Sequence, residues 1–346
     1  MRNFSSPWLL LVLPAAALAG LVLLSCGGGA GPDDTNAVVP AGPFSYDGSF
    51  HSSIGAFPIT DMRSKMVEAD GDSLDLYAEM ESYETRNLTV YHRASSAGEP
   101  VVLFIHGGAW TDGYMEWYDF VAESFTSSEG YVTVVVNYRL TSESVFPAAI
   151  CPTRSSEAPD PSLKAAWYPD NIRDCADALQ WTVDHVAEYG GDPGSIFVFG
   201  HSAGGHLASL LAAHEDYAAL RPRIRGLVSM SGVYTLDDVS ALVLADAFDQ
   251  TFGTDADEAV LDEASPSWSV VAGMDLPPFL VLYCEEDLPT FAAEALAFSS
   301  KLSSLGFEVE TAYLPGYDHV SEMEAIENPE AAPTARILDF IEDRLD

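Results

Sequence analysis

The sequence predicts an α/β fold: a mostly parallel twisted sheet with helices on both faces and an antiparallel N-terminal strand pair. Three observations predict it. Short, near-continuous apolar runs recur along the chain, amphipathic stripes at helical spacing alternate with them, and Gly, Pro or charged residues bound each run. The 346 residues are 48% hydrophobic and 11% aromatic, which supports a sizeable core and excludes wholesale disorder.

The opening pair rests on a period of two. Leu74, Leu76 and Ala78 alternate with polar residues, and Leu88-Thr-Val-Tyr repeats the pattern, as in strands with one face covered. The runs Val101–Ile105, Val132–Val136, Ile196–Phe199, Leu227–Met230, Phe279–Tyr283 and Val309–Leu314 then lack alternation and read as strands buried on both faces. Between them, Ile172, Ala176, Leu179, Val183 and Val186 fall on one helical stripe, and Phe291, Ala295, Phe298, Leu302 and Leu305 on a second. Ile337, Phe340, Ile341 and Leu345 form a third. Strand and helix in alternation place the strands parallel, because each crossover returns the chain to the same edge.

Residues 46–346 form one large domain without internal repeats. Two segments within it break the alternation: 141–167, proline-rich and read as a surface insertion, and 237–275, acidic and mixed, read as a cap over the site. Ahead of the domain, Met1-Arg2 is basic, Trp8 to Leu24 is apolar, and Leu23-Leu24-Ser25-Cys26 ends the run. This resembles a bacterial lipoprotein signal: residues 1–25 would be removed, and Cys26 would carry the lipid that anchors the protein to the cell envelope. The glycine-rich stretch 26–45 reads as a flexible tether. In an oxidising compartment Cys151 and Cys175 are a possible disulfide pair, while Cys284, inside an apolar strand, reads as a buried thiol.

Charge excludes several function classes. There are 53 acidic residues against 15 Lys+Arg, a formal net charge of -38, and the lysines are Lys65, Lys164 and Lys301 alone. Nothing here could neutralise a run of phosphates, so nucleic acid is not an expected partner. The same field repels anionic membrane surfaces and polyanionic substrates. No H-E-x-x-H and no paired C-x-x-C is present, so neither a metal nor an organic cofactor is expected.

The chemistry gathers at strand ends. Gly200-His201-Ser202-Ala203-Gly204 follows one apolar run and precedes the helical run Gly205–Ala213, the strand–turn–helix context that lifts a serine hydroxyl out of a sheet. His106-Gly107-Gly108-Ala109-Trp110 ends an earlier strand, where glycines let backbone N–H groups approach a developing oxyanion. Of the eight histidines, His319 follows the last strand and precedes the final helix, where a general base is needed. His201 and His206 flank the serine and read as packing or pocket-lining groups. His51, His92, His185 and His214 read as surface or satisfied core. For the orienting acid, Glu285, Glu286 and Asp287 stand in succession. Asp287, past the strand end, has the offset to reach the histidine, and Glu286 comes next.

These motifs in this order, with Gly-His-Ser-Ala-Gly-Gly-His-Leu and Gly-Asp-Pro before the elbow strand, resemble the α/β-hydrolase fold. Within it, they are similar to carboxylesterases and to the arylformamidase and feruloyl or acetylxylan esterase-like proteins. The likeness runs from about Leu88 to the C-terminus. It implies a Ser202–His319–Asp287 triad, oxyanion donors from the backbone of Gly108, Ala109 and Ala203, and hydrolysis of a small-molecule ester through an acyl-enzyme. The run Asp287-Leu-Pro-Thr-Phe resembles the formamidase-like subgroup. The rival readings are an exported serine peptidase, an arylformamidase-type amide hydrolase, and a noncatalytic binding protein on a hydrolase scaffold.

Overall fold

The computed structural model describes residues 51–52, 57–58, 87–141, 167–236, 245–253 and 258–345, apart from positions 94 and 114. The leader, Cys26, the tether, the acidic stretch 69–84 with its expected strand, and the insertion with Cys151 lie outside the described residues.

Among the described residues nine strands form one sheet: β1 His51–Ser52, β2 Phe57–Pro58, β3 Asn87–His92, β4 Glu99–Ile105, β5 Val132–Asn137, β6 Gly191–His201, β7 Ile224–Met230, β8 Phe279–Glu286 and β9 Val309–Asp318. Their order is β1-β3-β5-β4-β6-β7-β8-β9, with β2 also on β3. Among the described residues one pairing is antiparallel, and it joins β3 not to a preceding strand but to β5, with Leu88 opposite Val136 and Val90 opposite Val134. All other pairings among the described residues are parallel. The chain runs from β4 out to β5 and then returns to the other side of β4 as β6. The order therefore reverses at β4, where parallel sheets leave a crevice beyond the strand carboxyl ends.

The continuous apolar runs explain themselves once the two faces are separated. Val101, Leu103, Ile105, Val134, Val136, Ile196 and Val198 point to one side. There they pack with Ile172, Cys175 and Leu179 of α1 (Asp170–His185), Leu207 and Leu211 of α2 (Ala203–Ala213), and Ala295 and Phe298 of the helix Phe291–Ser304. Val102, Phe104, Val135, Phe197, Phe199, Val228 and Met230 point to the other, against Phe125 and the helix Ala332–Glu342 through Ile337, Phe340 and Ile341. Since adjacent residues face opposite layers, a two-sided core needs apolar side chains at every position. β9 departs from that expectation: it is an edge strand, mostly exposed, with Leu314 its buried residue.

Within 237–275 the described residues form three short helices, α3 Ala245–Phe252, α4 Glu258–Ala264 and α5 Pro266–Ser269. They pack toward the serine motif: the ring of Phe252 meets that of Trp110 edge-on at 5.3 Å, and the Ala264 carbonyl accepts a bond from His206 Nε2 at 2.7 Å. The helices after β8 are α6 (Phe291–Ser304), α7 (Ser321–Glu324) and α8 (Ala332–Glu342). Cys175 is a free thiol buried in the middle of α1, where desolvation pushes its pKa well up, and its expected partner Cys151 lies outside the described residues. Cys284 is likewise a free, buried thiol on β8. Among the described residues no helix is long and apolar enough to cross a membrane.

Candidate active site

Five parallel strands deliver the site at their carboxyl ends. Ile105 of β4 lies opposite Gly200 of β6, His201 opposite Met230 of β7, Met230 opposite Leu282 of β8, and Glu286 opposite Asp318 of β9. The next residue or two on each chain therefore emerge side by side: Gly107, Ser202, Ser231, Asp287 and His319.

The serine turn is too tight for side chains. A Cβ on Gly204 would lie 2.0 Å from the Ile105 carbonyl oxygen, and one on Gly200 would lie 2.1 Å from that of Gly204. Ser202 itself has φ 55 and ψ -122, a strained conformation worth roughly 1–3 kcal/mol, held by bonds from its N–H to Met230 O at 2.9 Å and from His206 N–H to its carbonyl at 3.0 Å. Although Ser202 occupies the N-cap of α2, its hydroxyl makes no capping bond. That oxygen instead pairs with His319 Nε2 at 3.0 Å. The positive end of α2 lies directly behind it, beginning with Ala203.

The His319 ring packs edge-on against Phe291 at 5.4 Å and lies 4.8 Å from the His201 ring. Its Nδ1–H donates to Asp287 Oδ1 at 2.8 Å. This settles the order in the ring: Nδ1 carries the proton, so Nε2 is free to accept from the serine. Asp287 is nearly inaccessible, its side chain 2% exposed. Burial pushes its carboxyl up, but bonds and charge from His319, together with donors Ser231 Oγ at 2.7 Å and Leu288 N–H at 2.8 Å, hold it below the usual carboxylate range. Its two rivals turn elsewhere: Glu285 is exposed and accepts from Gly316 N–H at 2.7 Å, and Glu286 is exposed on the strand end.

The glycine turn after β4 has its carbonyls tied back. That of His106 accepts from Tyr138 Oη at 3.0 Å, that of Gly107 from His106 Nδ1 at 2.8 Å, and that of Gly108 from the N–H groups of Thr111 and Asp112 at 3.1 and 2.9 Å. Among the described residues no carbonyl accepts from the N–H of Gly108 or Ala109. Gly108 and Ala109 take positive φ, +121 and 51, and Gly107 abuts the elbow, its hypothetical Cβ 3.0 Å from Ser202 Cβ. A bowl of outward N–H groups beside a hydroxyl suits an oxyanion. His106 stacks between Tyr118 and Tyr138, and burial pushes its pKa down to about 4. His206 is pinned between Trp110 Nε1–H, which donates to its Nδ1 at 3.2 Å, and Ala264, with its pKa likewise lowered to about 4 by burial.

Two residues of the site escape sequence reasoning. Ser231 leaves the end of β7 at φ 44, and its only signal is a Ser-Gly pair after an apolar run, the context that marks Ser202 more strongly. Glu322, fully buried behind the triad, is indistinguishable by type among 53 acidic residues. Among the described residues two groups could offer ligands to a cation, His201 with His319 and Glu322, and Cys284 with Asp287 and Glu322. Each contains a triad side chain already engaged, so a cation there would compete with the Asp287–His319 bond.

Comparison with known proteins agrees with the architecture. Residues 165–323 match the family described as alpha/beta hydrolase fold, and residues 88–156 match the family BD-FAE. The chain has the α/β-hydrolase fold. LipM, a probable carboxylic ester hydrolase of Mycobacterium tuberculosis, is 29% identical over 238 residues, covering 65% of this chain and 50% of that protein. An arylesterase of Saccharolobus solfataricus is 30% identical over 170 residues, 48% of each. The chain thus spans about half the length of these curated relatives. A hyperthermophilic esterase from Pyrobaculum calidifontis superposes with a TM-score of 0.58 at 23% identity, over 82% of this chain and 94% of that one, a likeness of fold.

Proposed function

We propose that the protein is a serine hydrolase that cleaves small-molecule carboxylic esters. The observation that carries this reading is the unbroken relay Ser202 Oγ, His319, Asp287, at 3.0 and 2.8 Å, at the mouth of a strained strand-to-helix turn. His319 Nε2 takes the serine proton as Oγ attacks the ester carbonyl. The tetrahedral oxygen develops its charge against the N–H groups of Gly108, Ala109 and Ala203. The imidazolium then returns the proton to the leaving alcohol, and Asp287, which stays ionised, holds the ring in place throughout. Water repeats the sequence on the acyl-enzyme, releasing acid and serine. No step calls for a metal or an organic cofactor.

The names of the matched relatives, a carboxylic ester hydrolase and an arylesterase, support esters over amides as substrate. The net charge of -38 favours neutral substrates over polyanionic ones and speeds departure of the carboxylate product. The leader and Cys26 support an exported protein held at the cell envelope by a lipid on that cysteine, and mass spectrometry of the N-terminal peptide tests it.

Activity is tested with short-chain nitrophenyl esters and a fluorophosphonate. The parent is expected to hydrolyse the ester and to be labelled at Ser202, and Ser202→Ala to lose at least about 10⁴ of the rate. Equal rates in parent and variant would overturn the reading. An unlabelled, inert parent points to a binding scaffold, and cleavage of anilides without esters to an amide hydrolase.

A further inference from the structure

Behind the triad sits a second carboxylate that the mechanism above does not use. Glu322 is 0% exposed, and neither carboxylate oxygen has a hydrogen-bond partner among the described residues. A buried carboxylate left so poorly matched needs a reason. One polar neighbour is His201, whose Nε2 lies 3.6 Å from Glu322 Oε1. The same Nε2–H donates to the backbone carbonyl of His319 at 3.0 Å. Since a carbonyl only accepts, the proton is on Nε2, with Glu322 Oε1 also near that nitrogen. A nitrogen or oxygen from each of His201, His319 and Glu322 lies within 4.8 Å of the others, and Glu322 comes equally near Asp287 and Cys284.

The connectivity gives this cluster a mechanical meaning. His201 is bonded in sequence to Ser202, and Glu322 stands three residues beyond His319. That loop is closed on itself at one end: Asp318 Oδ1 accepts from the N–H groups of Val320 and Ser321 at 3.0 and 2.8 Å, and Ser321 Oγ accepts from Asp318 N–H at 2.9 Å. Nothing in that closure ties the loop to the serine. Among the described residues, the polar tie between loop and elbow apart from the reacting pair runs through His201.

On the reading that Ser202 and His319 form the reacting pair, we propose that Glu322 and His201 are positioning residues. Together they clamp the histidine loop to the nucleophile turn and so set the distance from His319 Nε2 to Ser202 Oγ. Glu322 orients the His201 ring from one side, and the ring holds the His319 backbone on the other. Neither residue touches the substrate, so the clamp governs the turnover step and leaves substrate affinity alone. A reacting pair displaced by about 1 Å loses on the order of 10²-fold in rate.

The test measures kcat and KM of the full chain on a short-chain nitrophenyl ester, with thermal melting of each variant alongside. Glu322→Ala is expected to lower kcat by about 10- to 100-fold with KM within about twofold of the parent. Glu322→Gln, which keeps the volume and an acceptor oxygen, recovers most of that loss. The double variant Glu322→Ala with His201→Ala falls little below Glu322→Ala alone, because both act through one contact. A kcat for Glu322→Ala within about twofold of the parent overturns the clamp, as does an equal loss in Glu322→Gln, which marks a merely structural role. If Glu322→Ala does not fold, His201→Leu and His201→Gln decide. The leucine should lower kcat, and the glutamine, whose amide N–H reaches toward the same carbonyl, should restore it; equal kcat in the two overturns the clamp. An inert parent removes the underlying reading and the clamp with it, whereas an active parent with an indifferent Glu322 removes the clamp alone.

Discussion

At the scale of single residues, the acid is the position where neighbours compete. Glu285, Glu286 and Asp287 are adjacent and chemically alike, yet Asp287 alone is enclosed and receives three donors, from His319, Ser231 and Leu288. Asp287→Asn is expected to lower kcat by about 10⁴, because the amide favours the wrong tautomer of the imidazole. Glu286→Gln should stay within about twofold of the parent, since its exposed carboxylate is screened by water. Ser231→Ala withdraws one donor from a buried carboxylate and should cost about tenfold in kcat, corresponding to roughly 1.4 kcal/mol. Steady-state kinetics on one ester settles all three. The sequence could order the acid candidates by their offset from the strand end, but it carries no record of which carboxylate is buried. Ser231 was invisible for the same reason: its role exists only through Asp287, 56 positions away in the chain.

At the scale of elements, the strands were legible and their ends were not. Interior strands must be apolar at every position, because both faces are covered, so runs such as Val101–Ile105 and Val132–Val136 stand out. β6 and β9 extend well past their apolar runs, to Gly191–His201 and Val309–Asp318, because backbone pairing continues where side chains are polar. The edge position of β9 leaves most of it in water, which a hydrophobic pattern cannot register. The serine turn is the element most tightly specified by residue type. Gly204→Ala would drive a methyl group into the Ile105 carbonyl, 2.0 Å away, so the turn between β6 and α2 must open. A loss of at least about 1–3 kcal/mol is expected from such overpacking, read as a lower melting temperature together with lost activity. A variant that melts with the parent would show that the turn has slack the packing does not suggest.

At the scale of the molecule, buried histidines link stability to pH. His106 and His206 have their pKa lowered by burial from 6.5 to about 4, and His201 shifts in the same direction. In these groups the unfolded chain binds protons that the folded one refuses. The stability they lend is full above pH 6.5 and is lost as pH falls toward 4, at up to about 1.4 kcal/mol per pH unit for each group. Asp119 works the other way. Burial raises its pKa to about 6, with a bond from Tyr91 acting against the shift, so it stabilises only while protonated and loses that contribution between pH 3.8 and 6. Three groups outweigh one. The melting temperature should therefore fall from pH 6.5 to 4, and fall more steeply in Asp119→Asn, where the opposing group no longer titrates. Melting in about 1 M NaCl, with a Debye length near 3 Å, keeps the self-repulsion of a -38 surface from masking the effect. A parent curve that is flat or rises with acidity would contradict the sign.

The amino-acid order alone determined the alternation of strand and helix, the glycine turns, and which serine and histidine stand at strand ends, because these are local consequences of side-chain shape and polarity. Only the folded chain decided which acid meets the histidine, that Cys175 stays a free thiol inside α1, and that Glu322 lies buried behind the triad. Those are facts about burial and distance between segments far apart in sequence, and a carboxylate or a thiol has the same chemistry wherever it is written. What changes its role is the water it loses and the partners that sheet order sets beside it.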